Sequence, residues 1–182
     1  MTTTRKRGAL ACAALLASAA MAEAQATSLP KPAPEMAALA PFEGDWKCEG
    51  AMPAGPMGPG GKTTGSVQSK TGLGGFWQVG KVTSTMPGMP TMEGTFHTTY
   101  DPVAKRYVML WVDNMGGWAQ IGSAGWEGDA MTYSGETFMS GQKMTTRDVF
   151  TKAADGSFKH KAEMQMDGKW VTMGEETCRR AP

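Results

Sequence analysis

Residues 157–166 read SFKHKAEMQM and alternate without a break. Phe158, His160, Ala162, Met164 and Met166 share one face of an extended strand, while Lys159, Lys161, Glu163 and Gln165 take the other. Asp167-Gly168 follows, a dipeptide suited to a tight hairpin turn. Alternation then resumes from Trp170 to Arg179, with Trp170, Thr172, Glu176 and Cys178 on a common face. Upstream, Arg106 to Asp113 sets Tyr107, Met109 and Trp111 against Val108, Leu110 and Val112. Turn signals separate such runs: Gly74-Gly75, Asp101-Pro102, Gly116-Gly117, Glu127-Gly128-Asp129, Ser140-Gly141 and Asp155-Gly156. The punctuation predicts about ten strands, at 44–52, 63–73, 75–86, 92–100, 106–114, 118–126, 130–139, 142–152, 157–166 and 169–179. No long helical pattern interrupts them. An all-β, antiparallel up-and-down meander is the expected fold, and closure into a barrel hides its edges best.

The cysteines bear on that closure. Cys48 falls in the first predicted strand and Cys178 in the last, and these strands are neighbours in a closed meander. Trp46 shares the face of Cys48, as Trp170 is expected to share that of Cys178. A disulfide there would close a loop of about 130 residues, stabilising by at most roughly 5 kcal/mol. Two unpaired thiols are the alternative.

The amino-terminal residues read as an address. Arg5, Lys6 and Arg7 precede an apolar run from Ala9 to Ala22, and Ala22-Glu23-Ala24 and Ala24-Gln25-Ala26 offer small-x-small cleavage sites. Residues 1–26 are therefore expected to be a secretory signal peptide, with a periplasmic or secreted mature protein. Lipidation at Cys12 fits less well, because the apolar run continues past it. The run also falls short of the ~20 residues that span a bilayer, so no stable membrane insertion is expected. Export removes Cys12 and leaves an even cysteine pair. Loss of residues 1–24 also changes the formal net charge from +1 to −1. Neither value provides a field to draw in nucleic acid. Residues 27–41 read as a Pro/Ala-rich linker with a short helix near Pro34–Leu39, and 42–182 as the barrel domain.

Several motifs, in order, carry a family likeness. Phe42-Glu43-Gly44-Asp45-Trp46 resembles the Gly-x-Trp that opens lipocalin-like barrels. Leu73-Gly74-Gly75-Phe76-Trp77, Tyr100-Asp101-Pro102, Tyr107 to Asp113 and Gly122 follow. The series resembles the bacterial domain-of-unknown-function 1579 family over residues 42–180. The resemblance implies a lipocalin-like fold and brings no established activity with it. The Met-rich inserts and the cysteine pair are not taken from the family pattern.

A search for chemistry finds no catalytic constellation. The two histidines, His97 and His160, lie in no nucleophile motif, and no Gly-x-Ser-x-Gly elbow is present. Gly55 to Thr63 lacks the glycine spacing of a phosphate loop. His97 reads as a solvated strand residue. His160 reads as an inward polar group or a packed core histidine; as a haem ligand nothing near it sets it apart. Asp113, Asp148 and Glu176 are strand carboxylates, and Glu176 is a possible inward partner for His160 on the adjacent strand.

The methionines are the sharper signal. Met86, Met89 and Met92 recur at intervals of three among Pro87, Gly88 and Pro90, and Met52 and Met57 lie in or beside the preceding Pro/Gly loop. Thioethers suit Cu(I) in an exported protein. They are equally an adaptable apolar filler or a ligand-gating rim. Met109, Met131, Met139, Met144, Met164, Met166 and Met173 read as strand packing. The leading expectation is a non-enzymatic protein that binds a small, mainly apolar molecule, with Trp77, Tyr107, Trp111, Trp118, Tyr133, Phe158, His160 and Glu176 as candidate cavity residues and no cofactor. The alternative is a periplasmic Cu(I)/Ag(I) binder using Met86, Met89 and Met92. A barrel filled by its own side chains, holding nothing, is a third outcome.

Overall fold

The computed structural model describes residues 29–55 and 58–182. The expected signal peptide, Cys12 and Met57 lie outside the described residues. A 3-10 helix, Pro34–Phe42, precedes eleven strands: β1 Gly44–Met52, β2 Gly61–Gly72, β3 Trp77–Thr85, β4 Met92–Asp101, β5 Arg106–Asp113, β6 Trp118–Ser123, β7 Trp126–Glu127, β8 Ala130–Met139, β9 Gln142–Lys152, β10 Phe158–Met166 and β11 Lys169–Arg180. Each strand pairs antiparallel with its neighbours. Pairing of β1 with β11 and of β6 with β8 closes a ten-strand barrel, with the two-residue β7 set against β8. The expected strand at 118–126 is thus broken after Ser123, where the Ser123 Oγ accepts from Gly125 N at 3.1 Å.

Turn chemistry sets the register. Ser140-Gly141 and Asp167-Gly168 each have positive φ at both positions, the signature of the hairpin turn whose twist matches its strands. Cys48 lies directly opposite Cys178, and the two are joined in a disulfide across 130 residues of chain. The disulfide fastens the first strand to the last.

One alternation expected from sequence fails. A bulge between Ala162 and Glu163 skips Met173, pairing Ala162 with Gly174 but Glu163 with Thr172. The extra residue reverses the face of everything before it on β11. Glu176 and Cys178 face inward, whereas Trp170 and Thr172 face outward. Arg147, on the outer face, accordingly stacks over the Trp170 ring at 4.4 Å.

The helical segment is a plug rather than a linker. Its two prolines favour a tight 3-10 turn, and Leu39 is buried among Tyr107, Ala119, Ile121, Met131 and Tyr133. Barrel side chains satisfy its carbonyls. Gln78 Nε2 donates to Leu39 O at 2.9 Å, Trp126 Nε1 to Ala38 O at 2.9 Å, Tyr107 Oη to Glu35 O at 2.8 Å and Trp46 Nε1 to Phe42 O at 3.1 Å. A second cluster of Trp46, Cys48, Phe158 and Cys178 packs beneath Phe42 and Trp126. The core therefore sits at the plugged end. No helix among the described residues is long and apolar enough to cross a membrane.

Candidate functional site

The inner wall of β9, β10 and β11 carries a charged cluster. The register places His160 directly opposite both Phe150 and Glu176, with Asp148 one step along on the same face. The imidazole ring stacks on Phe150 at 4.6 Å with the planes 10° apart. Its Nδ1 lies 3.0 Å from Glu176 Oε1 and its Nε2 lies 2.9 Å from Asp148 Oδ1. Both ring nitrogens therefore face carboxylate acceptors, a geometry that only the doubly protonated imidazolium satisfies. Burial pulls the other way, towards the neutral ring. The hydrogen bonds to Asp148 and Glu176 outweigh it and raise the His160 pKa to about 10. At neutral pH the cluster holds one cation between two anions. The three side chains are about a quarter exposed, at 22%, 26% and 24% for His160, Asp148 and Glu176.

The lumen between this cluster and the hairpin end is lined by short side chains. Ala162 and Thr146 lie on the inner faces of β10 and β9, and Gly174 and Thr63 on those of β11 and β2. Nearer the rim, Met52, Met92, Met139, Met144 and Met164 occupy inward positions on five strands. Across the barrel, aromatic rings lie against the wall because glycines leave them room. A Cβ on Gly80 would stand 2.2 Å from the Phe96 ring, and one on Gly94 would stand 2.2 Å from the Trp111 ring. Trp111 is held in place by Nε1 donating to Asp113 Oδ2 at 2.9 Å.

The expected cavity residues divide. His160, Glu176 and Trp111 face the lumen. Tyr107, Tyr133 and Phe158 also point inward, but at the plugged end they are core, buried to 5%, 1% and 6% exposure. Burial pushes the Tyr133 hydroxyl well above the usual phenol range. Trp77 and Trp118 do not face the cavity. Gln78 takes the inward position beside Trp77 and bonds the plug, so Trp77 turns out and packs edge-on to His97 at 6.3 Å. Trp118 stacks on Phe138 outside the barrel, with the Lys143 ammonium 5.9 Å above its ring.

The Met-bearing loops do meet at one rim: a Cβ on Gly61 would lie 3.0 Å from the Pro87 ring, and Gly88 sits against Pro59. Met86 and Met89 are half-buried in the β3–β4 loop, and Met92 begins β4 on its inner face. Glu176 also approaches both cysteine sulfurs, with the three candidate ligand atoms within 4.8 Å of one another, but the sulfurs are spent in the disulfide.

Sequence reasoning paired His160 with Glu176 but missed Asp148. The signal was available, since Asp148 and Phe150 share a face of β9 and β9 adjoins β10. Outside the barrel, Glu163 is bonded by Arg147 and Lys161, which hold its carboxyl below the usual range.

A search of curated proteins finds no match. Among solved structures, the chain is similar to Rv2717c from M. tuberculosis, with a TM-score of 0.61 and 14% identity, covering 84% of this chain and all of that one. At that identity the likeness is one of fold. The family model described as "Protein of unknown function (DUF1579)" matches residues 31–180. The chain belongs to that family, since the match spans most of its length.

Proposed function

We propose that this is an exported, non-enzymatic protein that binds a small, mainly apolar molecule in the hairpin-end half of its barrel. The observation that carries the reading is the inward set Met52, Met92, Met139, Met144 and Met164, arranged around a lumen lined with short side chains. Flexible thioethers form an apolar wall that adapts to a ligand's shape. Export is supported by the disulfide. The chain without residues 1–26, titrated with the neutral fluorophore N-phenyl-1-naphthylamine, is expected to give saturable, blue-shifted emission. Ala162→Phe, which fills the lumen, is expected to abolish it. Absence of saturable binding by the unsubstituted protein overturns the reading. Intact mass from the host envelope is expected to begin near Gln25 or Thr27.

A second reading, a Cu(I)/Ag(I) site on Met86, Met89 and Met92, draws support from the meeting of the β1–β2 and β3–β4 loops. Tight Cu(I) binding lost on changing all three to Leu would favour it; binding unaffected by those changes would exclude it.

A further inference from the structure

We infer that the molecule bound in the barrel carries a cationic amine at its inner end, held by Asp148 and Glu176. The inference rests on the binder reading and adds the chemistry of the ligand's head. His160 donates to Asp148 Oδ1 and Glu176 Oε1. Among the described residues no donor meets the other oxygen of either carboxylate. The imidazolium has no N–H left to offer an anion, while the carboxylates keep acceptors free. The cluster's net charge of one negative unit is not cancelled by its neighbours. Arg147, Lys159, Lys161, Glu163 and Glu175 all sit on the outer face of β9–β11. Lys152 is turned to the plugged end, over the Trp126 ring at 3.6 Å. Asp113, the other inward carboxylate near the rim, is already occupied by Trp111 Nε1 and by the backbone N–H groups of Met115 and Gly117.

A second observation points to an occupant. The hydroxyls of Thr98 and Ser69, on residues 0% and 7% exposed, have no hydrogen-bond partner. Both lie on inward positions, and β4, which carries Thr98, stands across the ten-strand ring from β10. Buried polar atoms are rarely left unpaired, and an ordered water or a guest's polar atom would satisfy these two. An alkylamine matches the wall and the cluster: its chain suits the methionines, and its ammonium supplies donors to the free carboxylate oxygens.

The test uses three probes of one chain length on the mature protein at pH 7: decylamine, decanol and decanoate, read by calorimetry and by Trp fluorescence. Decylamine is expected to bind at least tenfold more tightly than decanol, with decanoate weakest. Glu176→Gln and Asp148→Asn, made separately in case one fails to fold, are each expected to shrink the preference for decylamine over decanol. Equal binding of decylamine and decanol, or tightest binding of decanoate, overturns the amine proposal and leaves the apolar binder standing. Binding of none of the three overturns both.

Discussion

His160 shows how a single side chain can be fixed by its neighbours' charge. Its two carboxylate partners make the folded protein hold a proton that the unfolded chain releases near the ordinary histidine pKa of 6.5. A raised folded pKa contributes stability fully below about 6.5, and that contribution is lost as pH rises towards about 10. Thermal or urea unfolding is therefore expected to show stability falling across that window. In His160→Gln the slope should flatten, with about 1–3 kcal/mol lost at pH 6. A variant that keeps the wild-type slope would show that another group titrates there. At the same scale, Gly80→Ala is expected to cost about 1–3 kcal/mol because the new methyl collides with the Phe96 ring. Gly128→Ala, with open space around its Cβ, should introduce no such collision, though its φ of +59° adds some backbone strain. Comparing the two unfolding midpoints separates ring crowding from a general loss of glycine.

Among the elements, the plug has the clearest energetic role. Leu39 is 2% exposed, and four barrel side chains bond the carbonyls around it. Leu39→Ala is expected to destabilise by about 2–5 kcal/mol and to shift the emission of Trp126 and Trp46, which donate to the same segment. Retention of the wild-type midpoint would mean that the helix is an ornament on an already complete barrel. Sequence foreshadowed a helix near Pro34 through its Pro and acidic residues but gave no sign that it closes the barrel. That role depends on partners as distant as Tyr107 and Trp126. The bulge on β11 was equally hidden. Period-two reading assumes a regular ladder, and an extra Met173 changes the face of Trp170 without altering any local pattern. Strand positions were legible because Asp-Gly and Ser-Gly turns are local chemistry. The outward direction of Trp77 and Trp118 was not, since both faces of those strands carry apolar residues and only the burial of Gln78 and Ala119 decides between them.

At the scale of the molecule, closure depends on two seams, β6 with β8 and β1 with β11, and only the second is covalent. Replacing Cys48 and Cys178 with Ala is expected to cost roughly 2–5 kcal/mol. Loss of two hydrogens from the intact mass, reversed by reductant, would report the bond directly. An unchanged denaturation curve after reduction would show that strand pairing alone holds this seam. The disulfide also means that the barrel has no structural beginning. Ala181 N donates to Asp45 O at 2.8 Å, so the last residues lie beside the first strand. A chain whose last residues are joined by a linker to the segment ahead of the plug, and which is cut instead at Ser140-Gly141, would preserve every ladder except one hairpin turn. Such a circular permutant should recover the same β-sheet circular dichroism, because the molecule is organised as a ring on which the position of the termini is one choice among several.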